Sequence, residues 1–267
     1  MESQIKTKPA ISIVVPTFNE RENVGILCER IGKSLKGIRY EIIFVDDSKD
    51  DTPQVIEEIM KNNAHVRLYH RENGTGLATA VIDGFGMADG SYIAVMDADL
   101  QHPPEILRSM YAALVAKKCD FCIPSRFIRG GSDGGLNLYR KFVSWTARWI
   151  GKIILSSIRK ISDPTSGLFM FRRECIENAD LRPIGWKIMI EVLAMAKYGS
   201  VCEIPYTFCQ REHGESKLSA KVTKEYLVQV WGLRKREISH KDLVVKRVTP
   251  EKLAAYVDSL DRAAGKK

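Results

Sequence analysis

A repeating alternation constrains this chain most. Short apolar, β-branched runs end at polar turns, and helix-spaced segments join them. The runs cover residues 11–15, 41–45, 66–69, 91–96 and 121–123. The first stops at Pro16, the second at Asp46-Asp47-Ser48 and the fourth at Asp97. Residues 20–35 carry Val24, Leu27, Cys28, Ile31 and Leu35 at helical steps. Thr52-Pro53 opens a helix to about residue 62, with Thr52 as cap and Pro53 in the first turn. Residues 75–87 and a segment from Pro103-Pro104 to about 116 read as two more helices. Strands alternating with helices predict an α/β fold, a mostly parallel sheet with helices on both faces. Such sheets bind ligands beyond the carboxyl ends of their strands. The polar residues that matter therefore follow strands, at 17–20, 46–47 and 97–101.

After Arg126 the rhythm changes. Gly130-Gly131-Ser132-Asp133-Gly134-Gly135 reads as a flexible loop, and an amphipathic helix is predicted over about 137–158. Leu138, Phe142, Trp145, Trp149 and Ile153 share one face of that helix, with Lys141, Arg148, Lys152 and Arg159 along its edge. Its aromatic stripe either packs on the sheet or meets a bilayer interface, where Trp beside cations is at home. A strand at 168–171, a helix near 186–198 and a strand near 201–204 follow. Residues 210–217 read as a mobile loop, and 218–236 and 250–264 as helices, the last polar enough to be peripheral.

The charge is uneven. The chain of 267 residues has 41 Lys+Arg against 33 Asp+Glu, a net +8. Eight of those cations fall between Arg126 and Lys160, against Asp133 alone. This is a solvated basic face, an anion site or a contact with an acidic membrane surface. No nucleic-acid-binding motif accompanies it, which weighs against nucleic acid as a partner. The most apolar stretch, 142–158, is interrupted by Arg148 and Lys152, so no spanning helix is expected. The first residues form no secretory signal, and six scattered Cys form no disulfide framework, so a reduced, intracellular setting is expected. Cys119 and Cys122 lack the second pair a zinc site needs. At 45% hydrophobic and 28% charged residues, disordered and fibrous classes are excluded.

The chemistry centres on Met96-Asp97-Ala98-Asp99-Leu100-Gln101-His102-Pro103. Two carboxylates two residues apart at a strand end repel each other unless a cation lies between them. A hard divalent ion, Mg2+ or Mn2+, suits Asp97 and Asp99, with Gln101 as a neutral oxygen donor. The bland alternative is a pair of carboxylates capping the next helix. Asp46-Asp47 either accepts hydrogen bonds from a ribose or base or makes an ordinary turn. Pro16-Thr17-Phe18-Asn19-Glu20 offers backbone amides, an aromatic surface and a carboxylate, or simply a cap from Thr17 or Asn19.

Taken in order, these segments resemble glycosyltransferase family 2, the inverting enzymes of GT-A fold, and within it the dolichol-phosphate mannose synthases. The resemblance runs over about residues 9–231. It is carried by Pro16-Thr17-Phe18-Asn19-Glu20-Arg21-Glu22-Asn23, Val45-Asp46-Asp47, Gly74-Thr75-Gly76-Leu77-Ala78-Thr79-Ala80 and Met96 through Pro104. Ser125-Arg126-Phe127, Asp163-Pro164-Thr165-Ser166-Gly167, Arg211 and Gly214-Glu215-Ser216-Lys217-Leu218 extend it. It implies a catalytic domain over 1–231 and a polar, basic helical extension over 232–267. It implies that Pro16, Phe18, Glu20, Val45 and Asp47 hold the guanosine of GDP-mannose, and that Ala98 lines the same nucleotide-sugar site. Asp97, Asp99 and Gln101 would hold the metal on the diphosphate, and Asp99, Arg126 and Arg140 would be the catalytic residues. Arg126 would meet a phosphate of donor or acceptor, and Arg140 with Ser144 would hold the phosphate of a dolichyl or other polyprenyl acceptor. Arg211 and Lys217 would close over the diphosphate.

The implied reaction is inverting transfer of mannose to dolichyl phosphate for protein glycosylation, on the cytosolic face of a membrane. The alternatives are a UDP-glucose-dependent polyprenyl-phosphate transferase, a family member with a carbohydrate acceptor, and a non-catalytic membrane adaptor. The chain departs from the common pattern at Phe18, where Tyr is frequent, and at Ser48-Lys49-Asp50-Asp51, which lacks Gly-Ser. Many relatives begin membrane helices near the position of Trp231, whereas this chain continues Leu233-Arg234-Lys235-Arg236. That suggests a peripheral protein, served by small membrane-anchoring subunits, or a catalytic part detached from its anchor.

Overall fold

The computed structural model describes residues 8–74, 76–135, 138–209 and 220–265, the side chains of 138–142, 220 and 221 excepted. Strands and helices alternate as the apolar pattern demands. The order is β1 (Ile11–Thr17), α1 (Arg21–Ser34), β2 (Tyr40–Asp46), α2 (Thr52–Asn62), β3 (Val66–His70), α3 (Leu77–Met87), β4 (Tyr92–Val95) and α4 (Ile106–Lys117). Then come β5 (Phe121–Ser125), α5 (Leu138–Ile154), β6 (Phe169–Arg172), α6 (Ile188–Met195), β7 (Ser200–Pro205), α7 (Ala220–Arg234), β8 (Val244–Arg247) and α8 (Pro250–Ala264).

These strands form a single sheet in the order β3-β2-β1-β4-β6-β5-β7-β8. Every neighbouring pair is parallel except those of β6, which runs against both β4 and β5. The reversal has a consequence for the site. The start of β6 lies at the same edge as the carboxyl ends of the other strands, so the loop before it, 163–167, joins the polar turns there.

Side chains alternate between two cores, as the strand period requires. Val14, Ile43, Val45, Val95 and Phe169 face one core, roofed by α3, α6 and α7. Ile13, Val15, Phe44, Ala94 and Met170 face the other, beneath α1, α4 and α8. Cys122 pairs in register with Cys202, and with Cys119 both are fully buried free thiols in the second core.

Three expectations are revised. Thr52 lies inside α2 rather than capping it; its hydroxyl donates to Asp50 Oδ1 at 2.5 Å and accepts from the Glu20 amide at 3.0 Å. The hydroxyl thereby ties the second strand turn to the first. The segment after 231 is not wholly helical, because Val244–Arg247 forms β8 on the sheet edge. Its short, charged sequence gives little periodic signal. The helix near 186–198 is confined to Ile188–Met195. The sequence leaves the aromatic stripe of α5 open between the sheet and a bilayer; of its described side chains, Trp145, Trp149 and Ile153 are exposed. Leu227, Val228 and Trp231 of α7 are exposed as well, and the Tyr226 hydroxyl donates to the Ala147 carbonyl, joining the two helices. The predicted loop at 210–217 lies outside the described residues.

Candidate active site

The ends of β1, β2 and β4 open into a cleft of about 330 Å3. Pro16, Thr17, Phe18 and Glu20 line it from the first turn, and Asp47 from the second. Asp97, Ala98 and Asp99 line it from the third, so residues far apart in sequence converge. The first turn is shaped by Asn19, whose φ of 57° is one that Asn tolerates better than most residues. Its amide donates to Ser48 Oγ at 2.7 Å, and its side-chain oxygen accepts from the Lys49 amide at 3.0 Å. Asn23 donates to Glu20 Oε2 at 2.7 Å, which orients that carboxylate. The third turn reverses sharply at Leu100, φ 59°, whose side chain is buried in the core. Asp99 Oδ1 accepts from the Gln101 amide at 3.1 Å, an Asx turn that fixes the second carboxylate of the pair.

Some sequence candidates lie elsewhere. Val45 is wholly buried in the core beneath the cleft, in register with Pro16. It supports the floor and does not line the cavity. Gln101 is buried, and its side-chain amide approaches the Cys209 carbonyl at 3.4 Å. Arg211 and Lys217 lie outside the described residues, as does the side chain of Arg140. Ser144 is half-buried on α5, one turn before Arg148.

Asp47 brings a partner that the sequence did not suggest. Arg71 Nε and Nη2 donate to its two oxygens at 2.7 and 2.6 Å. Arg71 also donates to Asp83 Oδ2 at 2.9 Å, Thr79 Oγ1 at 3.0 Å and the Gly76 carbonyl at 3.1 Å. This bidentate clamp leaves the carboxylate its outer lone pairs for a ligand. A side chain at Gly74 would collide with Asp47, so glycine there lets the 71–76 segment close over the carboxylate. Gly76, Leu77 and Ala80 thereby reach the cleft, and Trp186 joins them from the stretch before α6.

Arg126 is likewise committed. Its Nε and Nη2 donate to Asp163 Oδ2 and Oδ1 at 2.8 and 2.9 Å, and Asp163 is wholly buried. Burial alone would lower the Arg126 pKa, but the hydrogen bonds and charge of Asp163 prevail and raise it. The guanidinium lies over the rings of Phe127 and Phe208, and that of Arg148 lies over the same Phe127 ring, 3.9 Å from its centroid. Two arginines thus converge beside the 163–167 loop. At the far end of that loop, an added Cβ on Gly167 would lie 2.2 Å from Asp97 Oδ2, so only glycine admits the carboxylate.

His102 is buried between Tyr206 and Phe208, its Nε2 3.9 Å from Asp97 Oδ2. Burial lowers its pKa to about 4, against the opposing pull of Asp99. It is neutral at pH 7, a packing residue behind the carboxylates.

Residues 12–179, which carry the turns of this cleft and its paired carboxylates, match the model of glycosyl transferase family 2. The chain belongs to glycosyltransferase family 2. A dolichol-phosphate mannosyltransferase of Pyrococcus furiosus is 42% identical over 227 residues, 85% of this chain and 64% of that protein. The chain thus spans less than two thirds of that relative's length. A dolichol-phosphate mannosyltransferase of Saccharomyces cerevisiae is 35% identical over 82% of this chain and 85% of its own. A polyprenol monophosphomannose synthase of Mycolicibacterium smegmatis is 34% identical over 84% and 87%. Among solved structures, glucosyl-3-phosphoglycerate synthase of Mycobacterium tuberculosis in complex with Mn2+, UDP and phosphoglyceric acid superposes with a TM-score of 0.61. It covers 85% of this chain and 78% of that one at 17% identity, a likeness of GT-A fold. This family 2 chain therefore carries the expected α/β fold and transferase class.

Proposed function

We propose that this glycosyltransferase transfers mannose from GDP-mannose to dolichyl or another polyprenyl phosphate, with inversion at the anomeric carbon. The observation that carries the reading is the meeting of two unlike halves at one sheet edge. One half is the cleft bearing Asp97 and Asp99; the other is the paired arginines beside Asp163. The names of the relatives from three organisms point to the same acceptor class.

On this reading Pro16, Phe18, Glu20 and Asp47 hold the nucleoside, and Val45 supports them from below. Ala98 lets the diphosphate approach the turn between the two carboxylates. The donor set fits a hard divalent cation: two carboxylates line one cleft, and an Asx turn fixes the second of them. Asp97 and Asp99 would hold Mg2+ or Mn2+, with Gln101 nearby, and the ion's chemistry there is charge neutralisation on the departing diphosphate. Arg211 and Lys217 would add cations to the same leaving group.

The acceptor phosphate is already an anionic nucleophile at neutral pH, so it needs placement and charge more than a strong base. Arg126 is held by Asp163 and presents a fixed guanidinium, with Arg148 beside it. Ser144 and Arg140 precede Arg148 on α5 at four-residue steps, which places all three along one face for the same phosphate. Attack from the side opposite the diphosphate gives the β-linked lipid from an α-linked donor.

The exposed aromatics of α5 and α7, with the basic edge of α5, suit a bilayer surface from which the lipid phosphate rises into the site. Among the described residues no helix is long and apolar enough to cross a membrane. We place the protein peripherally on the cytosolic face, with residues 1–231 as the catalytic part and small anchoring subunits as candidate partners.

The test is transfer of label from GDP-mannose into an acid-labile lipid, with purified protein, Mn2+ or Mg2+ and a short polyprenyl phosphate. UDP-glucose is run in parallel. Transfer from UDP-glucose alone would change the donor and keep the mechanism. No transfer from either donor, in detergent or with added membranes, would refute a lipid-phosphate acceptor.

A further inference from the structure

Lys187 carries no motif in the sequence, yet it occupies the place where the two halves of the site meet. Its neighbour Trp186 lines the cleft, and Lys187 itself precedes α6. Its Nζ donates to the Thr165 main-chain carbonyl at 3.0 Å, in the middle of the 163–167 loop. Among the described residues no carboxylate lies within ion-pair distance of this ammonium. Asp97 and Asp163 stabilise its charge from further away, while burial and the charge of Arg126 oppose it. The carbonyl of Lys187 is in turn approached by the buried Gln229 of α7 at 3.4 Å.

A half-buried ammonium that holds one neutral carbonyl adds little to stability. Its partial desolvation offsets much of a single hydrogen bond, and an apolar side chain of similar volume would serve as well. The arrangement has a different merit, because the loop it holds bears on both halves of the site. Asp163 at one end grips Arg126, and Gly167 at the other seats against Asp97. A tether at the middle, Thr165, fixes both ends.

We propose that Lys187 is a positioning residue: by holding the Thr165 carbonyl it fixes the 163–167 loop, and through Asp163 it aims Arg126 at the acceptor phosphate. This rests on the role given to Arg126 above. Asp97 is set mainly by its own strand and turn, so the nucleotide side depends on Lys187 far less than the acceptor side does.

The test compares K187M and K187R with the wild-type chain, using three readouts. The first is amide hydrogen exchange of the peptide spanning 163–168. The second is GDP affinity with Mn2+ present. The third is steady-state transfer from GDP-mannose to farnesyl phosphate. K187M is expected to expose the 163–168 amides, raise the acceptor KM and lower kcat by roughly 10- to 100-fold, the usual result of a misplaced binding group. GDP affinity is expected to stay at the wild-type value, and K187R to restore exchange protection and most of the rate. Wild-type exchange and wild-type acceptor KM in K187M would overturn the inference. So would a parallel loss of GDP affinity and thermal stability, which marks a general structural role. If K187M does not fold, K187Q replaces it, keeping an N–H donor without the charge. A wild-type chain that never uses GDP-mannose refutes the proposed function instead, and the exchange readout then decides the tether by itself.

Discussion

Asp163 and Arg126 make unequal demands on each other, and the inequality can be measured. Among the described residues Arg126 has one carboxylate within hydrogen-bonding distance, Asp163, and its side chain is 9% exposed. Asp163 is wholly buried, but Lys187 and Arg148 also feel its charge. Asp163→Asn keeps the shape and removes the charge, which leaves a buried guanidinium without its anion and should cost about 3–5 kcal/mol. Arg126→Met leaves a buried carboxylate that retains two cations nearby. It should cost about 1–3 kcal/mol, the range for a buried polar group that loses its partner. For a chain of this size 1 kcal/mol moves Tm by roughly 2–4 °C, so D163N should melt several degrees below R126M. Thermal unfolding of the two variants and the wild type, at pH 7 in one buffer, decides the matter. R126M as unstable as D163N, or D163N within about 1 kcal/mol of wild type, would show that the carboxylate does not organise these cations.

Four further outcomes follow from the geometry. Asp99→Ala should lower transfer by more than about 100-fold while vesicle binding persists, since even residues that merely orient a metal ligand are worth 10- to 100-fold; full activity would remove Asp99 from the site. Gly167→Ala forces Asp97 aside and should reduce transfer more than it reduces Tm, so a fully active variant would refute the close approach. Trp145→Ala with Trp149→Ala should weaken sedimentation with anionic vesicles by about 30-fold, given roughly 1 kcal/mol for each indole half-buried in the bilayer, and leave Tm unchanged. Burial lowers the His240 pKa, so the folded state binds its proton later than the unfolded chain. The neutral ring's contribution is complete above the unfolded pKa of about 6.5 and lost as pH falls toward the folded value. Denaturation midpoints from pH 7.5 to 5 should therefore decline more steeply for the wild type than for His240→Phe.

Strand ends were legible in the sequence because a carboxylate inside a buried strand is costly unless it finds partners, as Glu203 of β7 does in Arg247, so acidic turns favour the strand ends. Pro16, Asp46-Asp47 and Asp97 had to mark the edge where the sheet opens, and the structure gathers Phe18, Glu20, Asp47, Asp97 and Asp99 into one cleft there. Side-chain partnerships across the fold were not legible. Arg71 lies 24 residues from Asp47 and Asp163 lies 37 from Arg126, and no local spacing signals either pair. The face of α5 was ambiguous for a physical reason: a stripe of Trp and Ile has the same period whether it meets a sheet or a membrane. Only the position of α7 beside it showed that both helices leave apolar side chains outward. At Val45, a strand residue one step from the acidic turn, position suggests a ligand role while the side chain points into the core.

The reversed strand brings two separate turns of the sheet edge onto one loop. In an all-parallel sheet each loop at the carboxyl edge leads from a strand into a helix, and its polar residues serve that single crevice. β6 enters from the opposite direction, so the loop before it arrives at this edge between β4 and β5. It brings Asp163 to Arg126 after β5 and Gly167 to Asp97 after β4. One short loop therefore touches the carboxylate assigned to the donor and the arginine assigned to the acceptor. The reaction proposed here requires such closeness, since an anionic nucleophile must approach a sugar whose leaving group is also anionic. Fixed cations between two phosphates lower that repulsion before the substrates meet. If the loop is the common support, a substitution that loosens it should damage the acceptor KM and kcat together while nucleotide binding survives. A substitution at Asp47 or Arg71 should do the reverse, raising the donor KM first. Equal effects of both classes on both substrates would mean that the halves are not separately held.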